Sequence, residues 1–308
     1  MGRPEIGIRA PHGLFSAGPD AISRFSGAVE AQGIDRIWVG DHVSFRGGQG
    51  YDGLLQAAVL GALTRRVTVQ TAVYLLPLRH PVPVARQVAS VAEMAPGRFV
   101  FGVGMGGDDE KETANCGVDH ARRGRRMDEG LALVRRLLAG EVVDHAGPEF
   151  PLSEAAIRPT PAVPVPVAVG GRSGAALARA GRMSDGWLGV FVDADRFGQS
   201  CRTVVAAGEE AGRSQVGWQH GMLVWCGFGP SRDAARRSVA PALEELYRMP
   251  FERFERYVPC GRPADVAEAV RPYIDAGAAY VLLSPFAEHS YESVAGAAAV
   301  KAALTSGR

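Results

Sequence analysis

Cysteine is scarce and scattered. The 308 residues hold four, Cys116, Cys201, Cys226 and Cys260, with no CxxC pair and no Cys/His cluster. That argues against a disulfide framework and a structural zinc site. No uninterrupted apolar run approaches the roughly 18 residues of a membrane span. The start, Met1 to Ile8, is too polar for a secretory signal. Net charge is also nearly absent, at +1, so neither nucleic acid nor a membrane surface is an expected partner. These absences together predict a reduced, cytoplasmic setting. His-x-His, HExxH, clustered carboxylates at strand ends and a Gly-x-Ser-x-Gly elbow are missing too. No metal is expected, and the hydrolase classes built on those motifs recede.

What is present is a rhythm. Hydrophobic residues make up 46% of the chain, enough for a sizeable core. Short apolar runs alternate with helical patterns almost from end to end. Strands are expected at Ile6–Ala10, Arg36–Gly40, Val67–Tyr74, Phe99–Gly104, Val165–Gly170, Gly186–Val190, Val216–Phe228 and Ala279–Ser284. Several are continuously apolar, as in Phe99-Val100-Phe101-Gly102-Val103-Gly104, which fits parallel strands buried on both faces. Helices are expected at Asp20–Gln32, Tyr51–Thr64, Val82–Met94, Gly124–Ala139, Ser173–Met183, Asp195–Gly212, Arg232–Tyr247 and Pro263–Ala276. Several carry an acid or proline at the start and a glycine at the stop. Eight strands and eight helices in strict alternation predict an α/β fold, a (β/α)8 TIM barrel formed by one domain over residues 1–308. A doubly wound open sheet is the rival. Residues 140–166 break the rhythm with Pro148, Pro151, Pro159, Pro161, Pro164 and Pro166. They read as an irregular insertion before the fifth strand.

In such a barrel the chemistry sits where strands end and βα-loops begin. That rule selects His12 after strand one, Asp41-His42 after strand two, and Tyr74 after strand three. It also selects Gly104 and Gly106 after strand four, Gly170-Gly171-Arg172-Ser173 after strand five, and Trp187 and Phe191 around strand six. A histidine here could exchange a proton near neutral pH, with Asp41 fixing its tautomer. The alternative is a histidine that merely caps a loop carbonyl. Gly170 to Ser173, at a helix start, could cradle a phosphate or serve only as a tight turn. The glycines at 102, 104, 106 and 107 lack Rossmann spacing and read better as backbone bared for a flat ring or phosphate. His12, Tyr74, Trp187, Phe191 and Trp225 could line an apolar, aromatic pocket or belong to the core.

Several runs resemble the bacterial luciferase-like monooxygenase superfamily. They are Leu76-Pro77-Leu78-Arg79-His80-Pro81-Val82 with Ala85-Arg86-Gln87, Pro96 to Gly104, and Ile37-Trp38-Val39-Gly40-Asp41-His42. Arg158-Pro159-Thr160-Pro161, Asp185-Gly186-Trp187, Gly261-Arg262-Pro263 and Ala276-Gly277-Ala278 extend the resemblance to strand eight. Trp38, Asp41 and His42 match the branch that uses the deazaflavin coenzyme F420, whereas flavin-reducing types tend to carry Glu-His there. The resemblance implies a non-proline cis peptide at Ala72–Val73 backing the ring, and His42 as proton partner beside Asp41. Trp38 would lie at the cofactor. Gly170, Gly171, Arg172 and Ser173 would hold the phosphate of the tail, with Gly104 and Gly106 giving it room.

An F420-dependent oxidoreductase acting on a small apolar or aromatic molecule is therefore expected. The alternatives are an FMN-dependent monooxygenase supplied by a partner reductase and a non-catalytic flavin-binding relative. Sugar-phosphate dehydrogenases of the F420 branch carry a catalytic glutamate where this chain reads Gly106-Gly107-Asp108, so a sugar phosphate is not the expected substrate. By the same resemblance a homodimer would pair through the Tyr51–Thr64 and Val82–Met94 helices.

Overall fold

The structure, a computed structural model, describes residues 3–106, 109–286 and 290–306. The parallel strands β1 (Glu5–Arg9), β2 (Arg36–Val39), β3 (Thr68–Thr71) and β4 (Phe99–Gly104) lie side by side in chain order. They continue into β5 (Val167–Gly170), β6 (Gly186–Val190), β7 (Gly221–Phe228) and β8 (Tyr280–Phe286). β8 pairs with β1 through Glu5 and Tyr280, and β7 bridges β6 and β8 at Gly221, so the sheet closes on itself. This is the expected TIM barrel, with strands within a few residues of their sequence positions.

Strand parity assigns each side chain to a layer. Ile6 and Ile8 of β1, Ile37 of β2, Phe99, Phe101 and Val103 of β4 and Val167 and Val169 of β5 face the helices and join the main core. Trp38, Leu188, Leu223, Tyr280 and Leu282 fill the barrel interior instead. The outer layer is built by α1 (Pro19–Ala31), α2 (Gly53–Leu63), α3 (Pro81–Met94), α4 (Arg123–Leu138), α5 (Gly174–Met183) and α6 (Ala194–Glu210).

Strict alternation fails near the end. Both α7 (Arg232–Tyr247) and α8 (Pro263–Asp275) fall between β7 and β8, and α9 (Ser290–Ser306) follows β8. α9 has no counterpart among the helices expected from the sequence. Its buried face is Val294, Ala297, Val300 and Leu304, but alanines and glycine fill most positions between, which blurs the apolar/polar period that marks a helix. The Pro-rich insertion holds a small antiparallel pair, Val143–His145 with Leu152–Ala155. It is fastened to α4 where Glu129 accepts hydrogen bonds from the Glu149 and Phe150 amides.

Candidate active site

At the C-terminal end of β2 the chain turns at Asp41. Its buried carboxylate accepts the Gly53 and Leu75 amides, each at 2.9 Å, and a two-pronged contact from Arg79 at 2.7 and 2.9 Å. Arg79 also reaches Asp52, the N-cap of α2, at 3.3 Å and lies 4.2 Å over the Tyr74 ring. One carboxylate thus ties the start of α2 to the segment that follows β3. Burial opposes charge on Arg79, but Asp41, with Tyr74 and Asp52 behind it, outweighs burial and holds the guanidinium pKa above its ordinary value.

All of these contacts turn Asp41 away from the task expected of it. The carboxylate against His42 is Glu112, from the short helix Glu110–Asn115, with Oε2 3.1 Å from Nδ1. Glu112 is itself fixed by the Val43 amide at 2.7 Å and the Ser44 amide at 3.1 Å. Burial alone would raise its pKa, yet the contact with His42 and these two amides together hold it below the usual glutamate value. An ionised Glu112 accepts a hydrogen bond from Nδ1–H, which leaves Nε2 as the open nitrogen of the ring. The His42 ring stacks on Phe45 at 4.1 Å and its side chain remains 34% exposed. It is held on one side and accessible on the other.

The Ala72–Val73 peptide is cis, and both residues are half-buried at the barrel's end. The Ala72 amide donates to Val39 O at 2.8 Å, and Thr71 Oγ1 donates to Gly102 O at 2.7 Å, so the segment is clamped between its two neighbours. The Val73 side chain packs into space left free by Gly104 and Gly170: a Cβ at Gly104 would collide with Val73 Cγ2, and one at Gly170 would come within 3.0 Å of Cγ1. Gly104 therefore makes room for the protein's own bulge, not for a phosphate. Gly106 is exposed with φ 63°, and the neighbouring Gly107 and Asp108 lie outside the described residues.

The β5–α5 turn brings Gly170, Gly171, Arg172 and Ser173 together. Gly171 has φ 123°, a conformation that excludes most side chains. Ser173 Oγ caps α5 by accepting the Ala176 amide at 3.2 Å, and a Cβ at Gly174 would meet nothing within 4 Å. Arg172 is exposed, with one long contact of 3.4 Å to Phe191 O. The helix start is open, with the exposed Arg172 cation beside it.

Two expected pocket residues belong elsewhere. Trp187 has the outward parity of β6, packs on Phe197 and donates to Gly171 O at 2.7 Å, entirely buried among the helices. Tyr74 is likewise fully buried, with its ring 5.6 Å from Phe101 in the main core. His12 is exposed beyond β1. Phe191 does face the barrel's mouth: with φ 50°, rare for an aromatic residue, it packs against Tyr247, Phe254 and Tyr257. Trp38 points inward, its indole N–H donating to Leu283 O at 2.9 Å.

A cleft of about 1100 Å³ opens at this end between the loops after β2 and β4 and the end of α7, lined by Ser44, Arg46, Asp109, Lys111, Tyr247 and Met249. A smaller cavity of about 330 Å³ touches His42, Asp52, Arg79 and Cys116. The larger opening thus sits on the rim, beginning two residues beyond His42 at Ser44. Among the described residues no group of three or more His, Cys, Asp or Glu could hold a metal ion, and no helix is long and apolar enough to cross a membrane.

Residues 6–300 match the luciferase-like monooxygenases. The chain belongs to that family. It is 36% identical over 157 residues to an uncharacterized protein of Mycobacterium tuberculosis, a match covering 51% of this chain and 54% of that one. The chain thus spans about half the length of that relative. An F420-dependent glucose-6-phosphate dehydrogenase of Kineococcus radiotolerans is 28% identical, with 90% of each chain covered. The fold is shared with an F420-dependent secondary alcohol dehydrogenase solved with an F420–acetone adduct, at TM-score 0.84, 19% identity and 98% and 99% coverage. It is also shared with the oxygenating constituent of 3,6-diketocamphane monooxygenase from a Pseudomonas putida plasmid, solved with FMN, at TM-score 0.76, 16% identity and 98% coverage of each chain. Members of this family with such names are oxidoreductases or monooxygenases.

Two residues of this site escaped the sequence. Glu112 lies 70 positions from His42, on the short helix Glu110–Asn115, and Arg9, which lies over the Trp38 and Trp225 rings, looks like an ordinary strand-end charge. Only alternation along β1 could have placed Arg9 inside the barrel, opposite in facing to Ile6 and Ile8.

Proposed function

We propose that the chain is an F420-dependent oxidoreductase acting on an organic substrate with an apolar or aromatic body. The observation that carries this is the Ala72–Val73 bulge, half-buried and flanked by Gly104 and Gly170, between the His42–Glu112 pair and the open start of α5. A flat ring could lie against the half-buried Ala72–Val73 segment. The residues fit a deazaflavin at both ends: a proton-exchanging ring nitrogen at one, a helix start with Arg172 at the other. Bound there, F420 would supply hydride transfer. The protein's part is then to orient. His42 Nε2 would give or take the accompanying proton, with Glu112 fixing the opposite nitrogen. Gly171, Arg172 and Ser173 would bind the phosphate of the tail. Trp38 and Phe191 would flank the substrate and exclude water from the barrel's mouth. Relatives with F420-dependent names along most of the chain's length support this reading.

The second reading is an FMN-dependent monooxygenase, favoured by the FMN-bound structure of the same fold. Fluorescence titration of the purified protein with F420 and, separately, FMN tests both. F420 should bind the more tightly, and Arg172→Ala should weaken it about tenfold or more through loss of a charged contact. Preference for FMN, with substrate-dependent oxygen uptake, would replace the first reading by the second.

We also propose a homodimer. Leu55, Val59 and Leu63 of α2 are 67%, 39% and 43% exposed, and Met94 at the end of α3 is 49% exposed. The α2 residues stand four apart, one apolar stripe facing solvent. Light scattering should give twice the chain mass, and Leu55→Asp with Val59→Asp should halve it. A monomeric starting protein, or a dimer indifferent to both substitutions, rules this out.

A further inference from the structure

The barrel interior holds two guanidinium groups, and they are treated differently. The deeper one, Arg36, is met by the Glu5 carboxylate, by Gln70 Oε1 at 3.1 Å and by the Tyr280 ring at 4.1 Å. The upper one, Arg9, lies between the faces of Trp38 and Trp225, at 5.6 and 5.2 Å from the ring centroids. Among the described residues it has neither a carboxylate nor a hydrogen-bond acceptor as partner. Burial is the chief influence on it and lowers its pKa, opposed only by Tyr247. A half-buried guanidinium whose N–H donors meet no acceptor is an unfavourable arrangement unless something else completes it.

Its neighbours share that incompleteness. Arg9 stands in register with Trp38 of β2 on one side. On the other, Ile8 pairs with Leu283, which brings Arg9 beside Ser284, and Ser284 is in register with Trp225 of β7. These four residues form one continuous tier across β2, β1, β8 and β7. Trp225 is 5% exposed and Ser284 is fully buried, yet Trp225 Nε1 and Ser284 Oγ both lack a hydrogen-bond partner. An indole N–H can only donate, a guanidinium can only donate, and a serine hydroxyl can do so. Unsatisfied donors on three adjacent strands call for an acceptor, and the positive charge calls for that acceptor to be an anion.

We infer that this tier is an anion site whose occupant is the carboxylate of a planar organic acid, the substrate of the reaction proposed above. A carboxylate matches the guanidinium fork through two parallel hydrogen bonds, and Trp225 Nε1 and Ser284 Oγ stand on the same tier as further donors. The tier holds one cation, which balances one negative charge; a phosphate dianion would be left half-compensated. Phe191, Tyr247 and Phe254, which pack together above Trp225, would receive the apolar body of the acid. That the anion belongs to the substrate rests on the proposed function; the anion site itself does not.

The test uses the full chain without cofactor, titrated with benzoate and with its neutral counterpart benzamide, following tryptophan fluorescence. Benzoate should bind saturably and benzamide should not. Arg9→Met should weaken benzoate about 10- to 100-fold, and Trp225→Phe, which keeps a ring but removes the N–H, about fivefold. F420 affinity, measured in the same preparations, should change little and so reports that the variants are folded. Equal binding of benzoate and benzamide, no saturable binding of benzoate, or indifference of benzoate to both variants overturns the site. Loss of F420 binding in Arg9→Met with an unaltered melting temperature assigns the anion to the cofactor and overturns the substrate inference. Failure of F420 to bind the unmodified protein while benzoate does so removes the proposed function and leaves the anion site standing.

Discussion

Replacing Arg79 by methionine is expected to destabilise the protein by about 3–5 kcal/mol, because it leaves a buried carboxylate without its counter-charge. Asp41 is 0% exposed and Arg79 only 17%, so little water is available to take over. The Gly53 and Leu75 amides still donate to Asp41 after the change, but neither carries charge. For a chain of this size the loss corresponds to a fall in melting temperature of about 10 °C. Asp41→Asn alone should also destabilise, since Arg79 then keeps only the partly exposed Asp52 as a partner. The double replacement, Asp41→Asn with Arg79→Met, should recover much of the loss, as removal of both charges leaves no buried ion uncompensated. Thermal and denaturant unfolding of the three variants check this. A loss below about 1 kcal/mol for Arg79→Met would mean that water, not Arg79, compensates Asp41.

The second large effect concerns turnover. His42→Ala should lower the rate of the reaction by about 100- to 10,000-fold, the range for loss of a proton-transferring group, while cofactor affinity changes only a few-fold. Glu112→Gln should lower turnover less, because Nδ1 keeps a hydrogen-bond partner but not a charged one. Activity unaltered in His42→Ala would deprive that residue of its role and leave a protein that merely binds its cofactor. Glu112 adds a pH signature independent of activity. Its pKa is held below the usual value in the folded state, so the unfolded chain binds the proton first as pH falls. The stability contributed by the ionised carboxylate is present above about pH 4.3, the unperturbed glutamate value, and is lost below it as the folded pKa is crossed. Unfolding curves of the unmodified protein and Glu112→Gln should differ by a constant amount near neutrality and converge in acid.

Most of the barrel was legible because its strands are buried on both faces, and a stretch such as Phe99 to Gly104 has few other readings. Less legible was which way a side chain at a strand end points. Trp187 and Tyr74 sit at the level of the site along the chain, but Trp187 has the outward parity of β6. The turn at Ala72–Val73 carries Tyr74 out to the same helix-facing core. Aromatic residues satisfy either environment, so their identity does not decide between them. The pairing of His42 is hidden from the sequence for a different reason. Asp41 is adjacent in sequence and chemically suited, but four donors from α2, the post-β3 segment and Arg79 already occupy it. The partner comes from the separate short helix Glu110–Asn115, whose approach no local pattern encodes. The bulge itself was placed by resemblance, since nothing in the composition of Thr71-Ala72-Val73-Tyr74 interrupts a strand.

The packing of Val73 into the hollows at Gly104 and Gly170 joins three strand ends through one side chain, and that has a historical consequence. No residue larger than glycine fits at position 104 while Val73 keeps its present size, and position 170 is nearly as tight. Val73 would have to shrink before position 104 could grow. The order of steps through this corner of the barrel is therefore constrained: a route that enlarged position 104 before position 73 shrank would pass through a clash.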